Sequence, residues 1–416
     1  MQSFTLIFLG ALLATSLIKT WLATRQMRHV RQHRDAIPAE FATQISLEEH
    51  QKAADYSAAK TPLAFAHILL DAAVLLAFTL GGGLQALDNL WRGVFSSELL
   101  VNAALIVSAV IVASLVEIPL DLYRTFRIEA RFGFNKTTPG VFAGDLLKQT
   151  LLGAALGLPL VFLVLGLMDK MGANWWLYVW LTWMAFNLLV LAIYPTFIAP
   201  LFNKFSPMQD AALQARIEQL LQKCGFRAQG LFVMDGSKRS SHGNAYFSGF
   251  GASKRIVFFD TLLTRLSHDE IEAVLAHELG HFKRRHIFKR VAWMFAMSLA
   301  FLWTLGWLMD KPWFFQDLNV HTQSMGMALM LFFLVTPVFT FALQPLMSLY
   351  SRKHEFEADQ YAAQQSSSHS LVQALVKLYK DNAATLTPDP LHSAFYDSHP
   401  PAAQRIAQLR NLAHNS

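Results

Sequence analysis

The sequence is poor in charge. Only 15% of its 416 residues are Asp, Glu, Lys or Arg, against about 25% in soluble globular proteins. With 53% hydrophobic residues, this deficit excludes an ordinary soluble domain and points to a membrane protein. There is one cysteine, Cys224. An intramolecular disulfide is therefore excluded, and any metal site must be built from histidines and carboxylates. No internal repeat or low-complexity tract is present. The net charge of +6 is read as basic residues anchoring cytoplasmic loops, so no nucleic-acid partner is expected.

What is abundant is long apolar runs. A membrane span needs about 20 mostly apolar residues, and seven stretches qualify, at residues 4–23, 62–80, 99–120, 146–168, 175–197, 287–309 and 325–349. No Lys or Arg precedes the first run, whereas Arg25, Arg28, Arg31 and Arg34 follow it. That order suits an uncleaved anchor with its N-terminus outside. The first and third loops carry most of the basic residues, including Lys52, Lys60, Arg124, Arg127, Arg131 and Lys136. Odd loops are therefore expected to be cytoplasmic, together with residues 200–286 and the C-terminus. The expected layout is five spans in 1–199, a zinc-peptidase region in 200–286, two spans in 287–349 and a C-terminal region in 350–416. Asp71, Glu117, Asn187 and Gln344 fall inside spans. Such groups are costly in hydrocarbon. They mark either contacts between helices or a water-filled interior.

Ser267-His268-Asp269-Glu270 matches a capping box that opens a helix. Behind it lies His277-Glu278-Leu279-Gly280-His281, an H-E-x-x-H motif. Spacing i, i+4 puts both imidazoles on one helical face, where they can grip one Zn²⁺. Glu278, beside the first ligand, can act as general base. A catalytic zinc site needs a third protein ligand. The segment Ser351 to Asp359 offers Glu355 and Asp359 on one face. Glu355 can bind the metal and Asp359 can accept a hydrogen bond from a ligand histidine. Glu357 points away and is left out. Two spans separate His281 from Glu355, and an even number returns the chain to the same side of the membrane.

Residues 243–250 and 255–260 read as two strands of a hairpin turned by Gly251 to Lys254. An edge strand there can take an extended peptide by strand addition, or the hairpin simply packs the domain. Near the end, His399 is either structural or a donor to the oxyanion of a tetrahedral intermediate. Arg405 can clamp a carboxylate. His242, His286, His354 and His392 are treated as bystanders.

These residues resemble the CAAX prenyl protease type 1 family of polytopic zinc metalloproteases. The resemblance covers nearly the whole chain: residues 45–50, Arg131 to Thr137, Ile198 to Phe205, Asn244-Ala245-Tyr246, the H-E-x-x-H helix, Glu355 to Asp359, and His399-Pro400. It implies a mainly α protein with seven spans around a water-filled chamber, closed on the cytoplasmic side by a zincin-like α+β domain. It implies one Zn²⁺ per chain on His277, His281 and Glu355, with Glu278 as base. Asn244 would lie on the substrate-binding strand, and His399 and Arg405 would line the cleft. The implied activity is a zinc metalloendopeptidase acting on peptide or protein substrates, lipidated or membrane-bound, with C-a-a-X peptides as the family's substrate. The chain ends Ala413-His414-Asn415-Ser416, with no endoplasmic-reticulum retrieval signal. Together with the composition this suits a bacterial inner-membrane member, for which membrane protein quality control is the expected role. Two rivals are weighed. A related four-span peptidase would have two spans before the motif, where this chain has five. A polytopic transporter or scaffold with an accidental metal motif would use Asp71 and Glu117 as a path.

Overall fold

The computed structural model describes residues 3–248 and 255–414. Seven of its helical segments are long and apolar enough to cross a membrane. The membrane part is built from α1 (Ser3–Gln32), α2 (Leu47–Phe78), the short α3 (Gly83–Arg92), α4 (Glu98–Tyr123), α5 (Pro139–Lys170) and α6 (Trp175–Ile193). A short α7 (Ala199–Phe202) leads into the site region, which contains α8 (Ala211–Lys223), α9 (Asp260–Leu263) and α10 (His268–Lys283). The chain returns through α11 (His286–Met309), α12 (Pro312–Gln316) and α13 (Met325–Thr340). It ends in α14 (Gln344–Gln365), α15 (Ser368–Asp381), α16 (Pro390–Tyr396) and α17 (Ala402–His414). The seventh span is longer than the apolar run suggests. A single helical turn at Phe341–Leu343 joins α13 to α14, so one rod runs from Met325 to Gln365.

The two larger of three apolar cores among the described residues lie in the membrane part and around the site helix. One gathers Phe8, Phe78, Leu84, Leu165, Trp175, Leu305, Phe314 and Leu318 where the spans converge. The other gathers Phe41, Ile217, Phe258, Ile271, Leu279, Leu375 and Ile406 around α10. The buried residues of α5 are only Leu165 and Met168, and those of α6 only Trp175 and Val179. The remaining residues of both are exposed or half-buried, and α6 packs against α11, with Trp180 Nε1 donating to the Phe295 carbonyl at 2.9 Å. The expected architecture, seven spans enclosing a chamber, stands. Its polarity agrees. Glu117 on α4 pairs with His67 on α2 at 3.2 Å, while Asp71, one turn along from His67, stays exposed. Carboxylates on one helical face are tolerable toward water and not toward hydrocarbon.

A small sheet lies at the site end. Its strands are β1 (Phe205–Pro207), β2 (Gly230–Met234), β3 (Ala245–Ser248) and β4 (Arg255–Phe259), in the order β1-β2-β4-β3. The expected hairpin is present: β3 runs antiparallel to β4, pairing Tyr246 with Val257, and β3 is an edge. The expected turn at Gly251 to Lys254, with Gly249 and Phe250, lies outside the described residues. The strands β1 and β2 are additions that apolar periodicity does not reveal, because β1 is three residues long and largely exposed.

Candidate active site

The helix α10 starts as its sequence dictates. Ser267 Oγ accepts from the Glu270 amide, and Glu270 Oε2 accepts from the Ser267 amide at 2.7 Å. Such a cap contributes about 1 kcal/mol. Lys377 of α15 also donates to Glu270 at 2.8 Å, which ties the start of the helix to the core. Three turns on, His277 and His281 stand one above the other with their Nε2 atoms 3.2 Å apart.

The third side chain arrives because α14 crosses α10 at minimal distance. A Cβ placed on Gly280 would lie 2.9 Å from Ala358 Cα and 3.0 Å from its carbonyl oxygen. Glycine is required there by close approach, not by its dihedral angles. The crossing sets Glu355 Oε2 3.4 Å from His277 Nε2 and Glu355 Oε1 3.3 Å from His281 Nε2. For a tetrahedral metal with bonds of about 2.0–2.1 Å, neighbouring ligand atoms lie about 3.3 Å apart. Both separations, and that between the two Nε2 atoms, are close to this edge length, with one carboxylate oxygen turned toward each ring. Glu355 Oε2 is also buried without a hydrogen-bond partner among the described residues, a costly state unless a cation satisfies it. His277, His281 and Glu355 could therefore hold a metal ion.

Behind the first histidine, His277 Nδ1 lies 2.8 Å from Asp359 Oδ1. Asp359 is wholly buried and accepts two bonds from Arg405, from Nε at 2.8 Å and Nη2 at 2.6 Å. Burial works against a charge on His277, but the Asp359 and Glu355 carboxylates outweigh it and push the ring's pKa up to about 9. Arg405 is placed differently from the expected carboxylate clamp. It is buried, with two nitrogens on Asp359 and Nη1 3.7 Å from Glu355 Oε2. Its guanidinium faces the carboxylates of the cluster, so it is not free to take a substrate's end.

Glu278 is half-buried on the same helix, next to His277. His399 brings Nε2 to 3.5 Å from Glu355 Oε1, while its side chain stays 61% exposed and its Nδ1 contacts Ser398 Oγ at 3.0 Å. Asn244 is exposed at the head of the edge strand β3, where its carbonyl accepts from the Phe259 amide and its Oδ1 from the Ala245 amide. The lead-in to that strand is fixed from the membrane side: the Lys136 amide donates to the Arg239 carbonyl, and Asn135 bridges Ser240.

Three residues set aside from the sequence, His286, His354 and Glu357, belong to the cluster. His286 Nδ1 lies 3.0 Å from His281 Nδ1, and His286 Nε2 lies 3.0 Å from Glu357 Oε2. His354 stacks on His286 with centroids 3.9 Å apart. His242, on Asn382 at 3.0 Å, and His392, against Tyr396, stay outside. The only signal for His286 is its place five residues after His281, and on a continuous helix that spacing would put the rings on different faces.

Comparison with known proteins agrees along the whole chain. A family model described as CAAX prenyl protease N-terminal, five membrane helices, matches residues 26–204, and the Peptidase family M48 model matches residues 207–413. A CAAX prenyl protease 1 homolog of Arabidopsis thaliana is 35% identical over 418 residues, 96% of each chain. The CAAX prenyl protease 1 of Saccharomyces cerevisiae is 39% identical over 314 residues, 71% of this chain and 69% of that protein. The crystal structure of S. mikatae Ste24p superposes with a TM-score of 0.91 at 31% identity, covering 98% of this chain and 99% of that one.

Proposed function

The chain belongs to the CAAX prenyl protease family of membrane zinc metallopeptidases, peptidase family M48, and on that premise we propose roles for its individual residues. His277, His281 and Glu355 hold one zinc ion. Bound there, zinc supplies a Lewis acid that acidifies water and polarises the scissile carbonyl. Glu278 takes the proton of the attacking water and returns it to the leaving amine. His399 donates from Nε2 to the oxyanion of the tetrahedral adduct. Asp359 accepts from His277 Nδ1 and so presents Nε2 to the metal, while Arg405 neutralises Asp359 and holds it in place. A substrate peptide lies extended along β3, starting at Asn244.

The observation that carries this reading is the cluster of His277, His281 and Glu355: the two Nε2 atoms are 3.2 Å apart, and the carboxylate sets Oε1 3.3 Å from His281 Nε2 and Oε2 3.4 Å from His277 Nε2. The rival of a transporter with an accidental metal motif is not favoured, because the matched relatives are named proteases. We read the substrate as lipidated or membrane-bound, with C-a-a-X peptides cleavable and membrane protein quality control as the native role. A prenylated C-a-a-X peptide should be cut by the purified protein in the presence of zinc and spared after chelation. Glu355→Ala should lose zinc measured by metal analysis, and Asp359→Ala should weaken it about 10–100-fold. Unchanged zinc in Glu355→Ala would remove it from the ligand set.

We also propose a bacterial inner membrane as the location, with the zinc region cytoplasmic. Cysteines substituted at Lys52, Lys136 and Lys223 should all be labelled from the cytoplasmic side, and one at Lys311 only from outside. A cytoplasmic Lys311 would break this topology, since Lys311 sits in the connection between the sixth and seventh spans.

A further inference from the structure

The two metal-facing histidines are backed differently. His277 leans on a carboxylate directly, through Asp359. His281 leans on another imidazole. We propose that His286 is a positioning residue which, with Glu357, fixes the tautomer and orientation of His281. The proposal rests on the assignment of His281 as a zinc ligand.

The break between α10 and α11 makes this contact possible. The first ends at Lys283, and Arg285 adopts φ 56° and ψ 34° before the second starts at His286. The left-handed region is disfavoured for a non-glycine residue. This kink folds the chain back so that the two rings meet, with Nδ1 to Nδ1 at 3.0 Å and centroids 5.1 Å apart. Without it, residues five apart would not face each other.

With His281 bound to the metal through Nε2 as a neutral ring, one assignment of protons satisfies its remaining contacts. His281 turns Nε2 toward His277 and Glu355, so a neutral ring that binds metal through Nε2 carries its proton on Nδ1. Among the described residues, the acceptor for that proton is His286 Nδ1. His286 must then be protonated on Nε2, which donates to Glu357 Oε2 at 3.0 Å. The carboxylate selects the tautomer of His286, and His286 selects that of His281. The His286 ring is itself held firmly. It is buried, 4% exposed, and lies flat on His354 at an interplanar angle of 12°. Glu357, set aside in the sequence as facing away, reaches the site through two hydrogen bonds.

The test uses full-length protein in detergent, with zinc affinity read by competition against a chromophoric chelator. His286→Phe keeps the stacking surface and removes both hydrogen bonds; Glu357→Leu removes the anchor. Each should weaken zinc about 10–100-fold. The double variant should lose little more than the worse single one, because the two act in series. His286→Asn, which keeps an acceptor at the Nδ1 position, should recover most of the loss. At saturating zinc the KM for peptide should be unchanged in all of them. Wild-type zinc affinity in folded His286→Phe would overturn the proposal, as would fully additive losses in the double variant. Retention of zinc by His281→Ala would instead sink the ligand assignment on which it rests.

Discussion

Glu278→Gln should leave zinc bound and abolish peptide hydrolysis, with kcat falling about 10²–10⁴-fold. Glutamine keeps the size of the side chain and its helix propensity, so neither the fold nor the three metal-facing atoms should change. What is lost is one basic oxygen. Glu278 is half-buried, adjoins His277 in the chain, and is not one of the three side chains whose ligand atoms cluster, as a base that does not compete for the metal requires. Metal analysis and turnover of a fluorogenic prenylated peptide, measured on one preparation, separate the two roles. Zinc loss equal to that of His277→Ala would make Glu278 a ligand. Turnover within a few-fold of wild type would move the base elsewhere, with His399 the next group to examine. The inactive, zinc-loaded variant would also serve as a trap for membrane substrates.

Much of this site is legible in the sequence because its parts are local. A capping box, an i, i+4 histidine pair and an i, i+4 carboxylate pair each depend only on helical geometry. The parity of spans between His281 and Glu355 is a counting argument that needs no coordinates. The apolar runs define seven spans for the same reason: the bilayer imposes a length. What the sequence does not display are features that depend on two distant elements meeting. Arg405 reads as a free cation until α17 is seen to deliver it to Asp359 on α14. His286 reads as a bystander because nothing about Arg285 announces a left-handed turn; asparagine or glycine would have done so. The chamber itself is implied by polar residues in spans, but the arrangement of the spans around it depends on contacts between helices far apart in the chain, such as α6 against α11.

Gly280→Val should cost the protein both its zinc and its activity, although residue 280 contributes no side chain to the metal. A Cβ there already meets Ala358 Cα at 2.9 Å and its carbonyl oxygen at 3.0 Å, closer than such contacts allow, and valine adds two methyl groups. The obstruction is backbone, so no rotamer relieves it; α10 and α14 must separate. Overpacking of this kind costs about 1–3 kcal/mol in stability, but the larger consequence is geometric. His277 and His281 lie on one side of the contact and Glu355 on the other, so separation lengthens the distance from the carboxylate to both rings. A displacement of about 1 Å at a reacting centre can cost about 100-fold in rate, and a metal held by three protein atoms tolerates less. Gly280→Ala should show the same defect in milder form. A second substitution distinguishes this account from general destabilisation: Ala358→Gly should not rescue Gly280→Ala, because the clash is with the Cα and carbonyl of residue 358 and not with its methyl group. Gly153→Ala and Gly157→Ala, where a Cβ would meet nothing within 4 Å, should be neutral in zinc content and turnover. Full zinc occupancy in Gly280→Val, or rescue by Ala358→Gly, would show that the helix crossing does not set the metal geometry.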